Sequence, residues 1–379
     1  MPQVVVVGAG VFGTWTAHHL RVAGCDVTLV DAYGPANPRA SSGDQSRILR
    51  CGYGADEIYS DFARRSVEQW KALQQRAGVP IFHPCGVLLL ADAADPYAIA
   101  TRQTLERGQY DVEMLEPAQV RARYPHLDAA DASMALFEPH CGVLMARRAV
   151  RALASELVRS GAPLLRGKAL VSTTSGLLRS IALAGGDEIS ADAFVFACGP
   201  WLPSVLPSSL AGRIRPTRQT VVYFGTPAGD DRFGHMHTPA WIDRPAGIYG
   251  IPELEDAGLK VGIDEHGPPI DPDTEDRTPA PEVIARARAW VERRFPAMKG
   301  APVIGTRICQ YENTSNGDLL IDRHPDYDNV WVVGGGSGHG FKHGPVVGEL
   351  AANLVLTGGR THPRLSFESK TTHAARTVY

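Results

Sequence analysis

The first twenty residues, MPQVVVVGAGVFGTWTAHHL, constrain this chain more than any other stretch. Val4 to Val7 form a short apolar run of strand type. The run breaks at Gly8, and Gly8, Gly10 and Gly13 follow in the spacing GxGxxG ahead of a helix-like segment, Thr14 to Leu20. In that spacing a buried parallel strand turns sharply at Gly8. Gly10 lets the backbone approach a pyrophosphate, and Gly13 lets the helix lie against the strand. The unpaired N–H groups and positive dipole end of the helix then face the phosphates. A second apolar run, Asp26 to Val30, follows at βαβ distance and ends in Asp31, the acid expected on a ribose hydroxyl. Three glycines alone also fit an ordinary turn. Set between two strands and a helix, they specify a dinucleotide site, without choosing between NAD and FAD.

The 379 residues allow a sizeable core and two domains. An apolar content of 44% and a charged content of 21% describe a soluble globular protein. The net charge of −3 gives no basic field for nucleic acid. No apolar run approaches a membrane span, and Val4 to Val7 is too short for a signal peptide. Cys25, Cys51, Cys85, Cys141, Cys198 and Cys309 are scattered, which argues for a reducing compartment and against a disulfide framework or zinc site. His235 and His237, spaced HxH, lack an evident third ligand, so no metal is expected. The expected location is the cytoplasm; the terminal Thr377-Val378-Tyr379 carries no peroxisomal address.

After Asp31 a loop rich in Pro, Asn, Ser and Gly, Ala32 to Ser46, is long for a βα connection and reads as a binding loop. Helical patterns follow at Ile58 to Ala77, Pro96 to Arg107, Pro117 to Tyr124, Arg147 to Ser160 and Pro281 to Arg294. Ala193 to Ala197 is an apolar strand ending in the glycine turn Cys198-Gly199-Pro200. From Arg218 the pattern turns antiparallel, with strands at Thr220 to Phe224, Gly247 to Ile251, Leu259 to Ile263 and Arg307 to Tyr311. Asn329 to Val333, a glycine-rich turn to Gly340 and a helix from Gly344 to Leu356 then repeat the opening pattern. A strand–glycine–helix unit at each end implies a discontinuous dinucleotide domain.

GAGVFG, the Asp31 strand end, SRILR at 46–50 and ACGPW at 197–201 resemble the D-amino-acid-oxidase-like flavoproteins. Five further stretches narrow the likeness: YGIP at 249–252, GLKVG at 258–262, IDPDT at 270–274, CQYENTSNGDLLIDRHP at 309–325 and GGSGHGFKHGPVVGE at 335–349. Together they are similar to the monomeric sarcosine oxidase and N-methyltryptophan oxidase group, with pipecolate oxidase nearby, over nearly the whole chain. The resemblance implies an α/β fold with a discontinuous Rossmann-like FAD-binding domain (1–80, 145–216 and 312–379). A substrate domain with a mixed, largely antiparallel sheet (81–144 and 217–311) completes it. It implies FAD, not NAD, and a monomer whose partners are a small amino-acid substrate and O2, with neither nucleic acid nor membrane. The implied reaction oxidises a secondary, N-methyl or cyclic α-amino acid to an imine and yields hydrogen peroxide.

The same resemblance assigns residues. Gly8, Gly10, Gly13, Asp31, Ser42, Arg47, Gly338, His339, Gly340 and Lys342 border the cofactor, and Cys309 aligns with the cysteine that family members join to the flavin through a thioether. A thiolate is the nucleophile such a bond needs, and nearby cations favour it. Arg50 and Lys342 are placed on the substrate carboxylate, for which a guanidinium offers a planar fork of donors. Lys260 is placed over the flavin, where a fixed cation lowers the cost of reducing oxygen. Tyr249 matches an active-site tyrosine. If the segment holding Arg47 and Arg50 is helical they share a face; if extended, they point apart.

Two departures concern the substrate. Asp264 stands where the sarcosine oxidases have a histidine, and Ser41-Ser42-Gly43-Asp44 replaces their histidine-bearing loop. A carboxylate at 264 selects a cationic or hydroxylated side chain, or holds Lys260 protonated. Two other readings stay open: a dehydrogenase with another electron acceptor, and a non-catalytic FAD-binding subunit of a larger assembly.

Overall fold

Residues 1–171 and 175–373 of the computed structural model are described here; the terminal tripeptide 377–379 lies outside them. Two large sheets carry the molecule. The first has six strands in the order Leu320–Arg323, Val330–Gly334, Ala193–Phe196, Gln3–Val7, Asp26–Asp31, Leu164–Arg166. All neighbours in it run parallel except Leu320–Arg323, which turns back on Val330–Gly334. The apolar runs read from the sequence are its central strands, because only strands covered on both faces are uniformly apolar. Strands from opposite ends of the chain, Gln3–Val7 and Val330–Gly334, thus share one sheet with Ala193–Phe196 between them.

The second sheet has eight strands: Val303–Thr314, Ile214–Phe224, Leu259–Ile263, Ile248–Ile251, Ala240–Asp243, Val87–Ala91, Met134–Glu138, Glu113–Leu115. It is antiparallel throughout save for Ala240–Asp243 beside Val87–Ala91, the mixed sheet that was expected. Its outer two strands are longer than the sequence suggests. Ile214–Phe224 and Val303–Thr314 pair along their length, and polar residues such as Arg218 and Asn313 break the alternation that a pattern search follows. Helix Pro281–Arg294 covers one face, with Trp290 stacked on Trp241 at 5.5 Å.

Close backbone approach fixes the first sheet to its helices. Gly8 adopts φ +105°, and a Cβ on Gly13 would lie 1.7 Å from the Gly8 carbonyl oxygen, so the strand–helix turn admits no side chain at Gly13. Helix Val11–Val22 also packs on helix Gly344–Thr357, where a Cβ on Gly348 would meet the Trp15 carbonyl carbon at 2.4 Å and the Thr16 nitrogen at 2.7 Å. Those are backbone atoms and cannot rotate away. Gly348→Ala is therefore expected to destabilise the fold by about 1–3 kcal/mol, the usual cost of overpacking, measured as a lower midpoint in urea denaturation at unchanged slope.

Candidate functional site

A trough runs between the two sheets. At one end it is bordered by Gly8, Gly10, Asp31, Tyr33, Ser41, Ser42, and Trp201. It passes Phe12, Arg47, Cys309 and Gly340. It opens into a cavity of about 520 Å³, within the range of small-ligand sites, lined among others by Arg50, Tyr249, Asp264, His339 and Lys342. The sequence-predicted residues thus converge here, except Lys260 and Gly13, which packs against the Gly8 carbonyl behind the turn.

At the glycine end, Asp31 holds the turn. Its carboxylate accepts N–H groups from Ala9 (2.7 Å), Tyr33 (2.9 Å) and Gly34 (2.6 Å). A carboxylate offers about four lone-pair sites, so room for a ribose hydroxyl is left beside these three bonds. The binding loop is anchored from outside. Arg147 donates two hydrogen bonds to the Gly43 carbonyl, at 2.9 and 2.7 Å. Asp273 accepts from Tyr33 Oη (2.5 Å), Trp201 Nε1 (2.7 Å) and Lys168 Nζ (3.0 Å), tying three separate segments around that end of the trough.

In the middle, segment Arg47–Leu49 is a strand paired with Gly142–Leu144, so Arg47 and Arg50 point apart. Arg47 Nη2 lies 3.4 Å from Cys309 Sγ and its Nη1 donates to Asp44 at 2.9 Å. Asp44 also accepts from Lys260 Nζ at 2.5 Å and Tyr223 Oη at 2.8 Å, and Arg307 stands 3.3 Å away. Burial alone would push the Asp44 carboxyl up; Lys260 and Arg47 outweigh it and hold the group well below the usual carboxylate range. Lys260 lies on an interior strand, its neighbours Leu259 and Val261 buried in the core. Its ammonium also donates to the Ser46 carbonyl at 2.9 Å and does not line the cavity. Its carboxylate partner is Asp44, not Asp264.

In the cavity, Arg50 Nη1 donates to Tyr97 Oη at 3.0 Å and to the Gly52 carbonyl, and its guanidinium lies over the Tyr53 ring, 4.3 Å from the centroid. Lys342 Nζ donates to Tyr53 Oη at 2.8 Å and to the His339 carbonyl at 3.1 Å. Tyr53 therefore stands between the two cations. Burial, and then Arg50, drive the Lys342 ammonium far below its ordinary pKa. Glu138 fixes the turn behind Arg50 by accepting the Cys51 and Gly52 N–H groups at 2.6 and 3.1 Å, with the Cys141 thiol at 3.2 Å. These three side chains form the one three-ligand group among the described residues; it includes neither His235 nor His237. Tyr249 lines the cavity with its ring against Gly262, where a Cβ would meet it at 2.4 Å. Asp264 Oδ1 accepts from Tyr311 Oη at 3.2 Å, and burial pushes its carboxyl up to about 6.

Tyr53, Glu138 and Arg147 carry no sequence signal that singles them out, and Asp273 has only its place in the IDPDT stretch. Each acts through a partner far along the chain. Glu312 lies on strand Val303–Thr314, one residue past the run read from the sequence, and burial pushes it up to about 7.

A flavin dinucleotide fits this trough by its polar lining. Ser41 Oγ, Glu312 Oε2 and His339 Nδ1 are buried beside it without a hydrogen-bond partner among the described residues. His339 Nε2 faces the Gly317 carbonyl at 3.1 Å and so carries the proton, leaving Nδ1 as an acceptor. Among the described residues, the one atom near the position of a Cβ on Gly10 is Ser42 Oγ, at 3.3 Å, which leaves the backbone open to a phosphate.

Residues 3–354 match the family described as FAD dependent oxidoreductase. Monomeric sarcosine oxidase of Bacillus sp. (strain B-0618) is 32% identical over 371 residues, covering 95% of this chain and 93% of that protein. N-methyl-L-tryptophan oxidase of Yersinia pestis (strain Pestoides F) is 27% identical, over 92% of this chain and 94% of its own. Among solved structures, L-proline dehydrogenase from P. horikoshii shares the fold with a TM-score of 0.82 at 23% identity, covering 95% of this chain and 94% of that one. The deglycating fructosamine oxidase from Aspergillus fumigatus does so with a TM-score of 0.81 at 22% identity, covering 97% and 89%. Among the described residues no helix is long and apolar enough to cross a membrane. A match of this extent, over a fold that builds a dinucleotide cradle from both ends of the chain, places the protein in the FAD dependent oxidoreductase family, as an enzyme that oxidises amines or amino acids with FAD.

Proposed function

We propose that the protein oxidises a secondary α-amino acid, N-methylated or cyclic, to the imine, with O2 reduced to hydrogen peroxide. The C–H and N–H hydrogens of the substrate leave as two electrons and two protons, which together convert O2 to H2O2. The observation that carries this reading is the convergence of Arg50 and Lys342 on one cavity next to Arg47 and Cys309. Two cations in one buried pocket repel each other. Their juxtaposition is stable with an anion between them, and a substrate carboxylate supplies it. FAD, when bound, supplies the two-electron chemistry; this chain supplies binding, orientation and charge. Arg50, held by Tyr97 and the Gly52 carbonyl, presents donors in a fixed direction, so the carbon beside the nitrogen is held at a constant distance from the trough.

In this reading Cys309 is the site of covalent flavin attachment. Support comes from its place on the trough wall and from the Arg47 guanidinium, 3.4 Å from its sulfur. Lys260 acts through the field it sets up. Lys260, Arg47 and Arg307 surround the single carboxylate of Asp44, so the cluster keeps a net positive charge where reducing oxygen creates a negative one.

Mixed without oxygen with sarcosine, N-methyl-L-tryptophan, L-pipecolate, L-proline or D-amino acids, the holoenzyme is expected to lose its flavin absorbance with at least one secondary amino acid. A flavin that no amino acid bleaches would refute the proposed reaction. Acid precipitation is expected to leave yellow protein, with a mass raised by one FAD on the peptide holding Cys309. A colourless pellet from fully loaded enzyme would show that the cofactor is held without a bond. Lys260→Met should slow reoxidation of the reduced flavin by oxygen about 10²–10³-fold, while reduction by substrate changes far less, as stopped-flow mixing resolves. Reoxidation at the parent rate would favour a dehydrogenase that passes electrons to another acceptor.

A further inference from the structure

We propose that Asp264 seats the amino group of the substrate and takes its proton before oxidation. The inference rests on the amino-acid reading above and extends it to a group on the chain with no assigned role. An α-amino acid enters at neutral pH as a zwitterion, and its nitrogen must lose a proton before the C–N unit can be oxidised. Arg50 and Lys342 favour the carboxylate end of that zwitterion but repel the ammonium. The cavity therefore needs an acceptor of its own.

Most of the acids lining the cavity are already committed. Asp44 is held by Lys260, Arg47 and Tyr223. Glu138 is buried behind Arg50 and takes two backbone N–H groups and a thiol on its Oε2. Asp243, fully buried, is bonded to Arg294 and Trp290. Glu265 is exposed and paired with Arg286 at 2.6 Å. His339, driven down to about 3 by burial and by Lys342, is too weak a base.

Asp264 is different. It is half-buried at the cavity wall, its Oδ1 accepts from Tyr311, and its Oδ2 has no hydrogen-bond donor among the described residues. The groups facing it are the cations Arg50, Lys342 and Arg244, the phenols of Tyr249 and Tyr311, and the exposed His266 on its own turn. Burial outweighs the cations and brings the carboxyl to about 6, where a base is ionised at neutral pH yet still holds a proton well. In the step, an N–H bond of the ammonium breaks and an O–H bond forms on Asp264. No electrons are exchanged, and the amine left behind is neutral.

The test is the pH dependence of anaerobic flavin reduction in the holoenzyme, with sarcosine and L-proline as probes. In the parent, the rate is expected to be level from about pH 7 to 9 and to fall below about pH 6, where Asp264 is protonated. Asp264→Asn should reduce about 10²–10⁴-fold more slowly at pH 7 and gain about tenfold per pH unit, as only free amine from solution reacts. Asp264→Glu should restore most of the level region. Acetate, which has no ammonium, should bind Asp264→Asn more tightly than the parent, since a repelling carboxylate has gone. Tyr311→Phe gives a second route should the Asn variant fold poorly: loss of the donor raises the Asp264 pKa and moves the acid limb to higher pH. An Asn variant with the parent's pH profile, or an acid limb unmoved by Tyr311→Phe, overturns the proposal and leaves the amino-acid reading standing. If neither probe nor any other amino acid reduces the flavin of the parent, both fall together.

Discussion

The buried carboxylate of Asp44 is the interaction on which the rest of the site depends. It belongs to the binding loop of the first sheet, and all its partners but Arg47 come from the second. Lys260 lies on Leu259–Ile263, Tyr223 on Ile214–Phe224 and Arg307 on Val303–Thr314. Asp44 is 1% exposed. A charge so far from water is tolerated only with partners, and removing one partner of such a pair costs about 3–5 kcal/mol. That penalty locks the loop against the sheet in a single position. The loop bears Ser41 and Ser42, and strand Val303–Thr314 bears Cys309, Tyr311 and Glu312. The two walls of the trough are therefore set at a constant distance by one ionic cluster.

How far the chain could be read in advance follows from how far its interactions reach. The glycine turn, Asp31 and the apolar strands are local: strand, turn and helix all lie within residues 3–31, so their spacing is visible directly. The Asp44–Lys260 pair spans 216 residues, and the bond from Tyr53 to His343 spans 290. Periodicity carries no information across such distances. Asp44 was visible as an acid in a polar loop, where most acids are solvated. Asp264 stood out as a change of residue type, and pairing it with Lys260 was reasonable from four residues' separation alone. On a strand, however, residues four apart share a face but sit about 13 Å from each other, beyond reach of a direct bond. In the structure Lys260 pairs instead with Asp44, an aspartate from the binding loop.

Chemistry along the trough is graded by its charges. At the glycine end the N-terminus of helix Val11–Val22 offers N–H donors with no acid in its first turn to compete, as a pyrophosphate requires. In the middle, the cluster around Asp44 is cationic overall. In the cavity, the cations Arg50 and Lys342 and the carboxylate of Asp264 share one lining. A neutral or purely apolar ligand would leave these groups desolvated and unpaired, which is unfavourable for each of them. Specificity for a charged substrate is thus built in by what a wrong ligand fails to satisfy.

The charges of this cavity also adjust to what it holds. Lys342 is pressed toward its neutral form by burial and by Arg50. An arriving carboxylate works against both influences, since it adds a negative partner beside the ammonium and offsets the guanidinium. Tyr53 serves both states: its ring faces Arg50 and its hydroxyl accepts from Lys342. In the proposed cycle the ammonium passes its proton to Asp264 on the same wall, where burial has already raised the carboxyl to about 6. Carboxylate and amine then each meet a group whose charge state shifts to match them. The cavity avoids the cost of holding every charge in full when no substrate is there to share it.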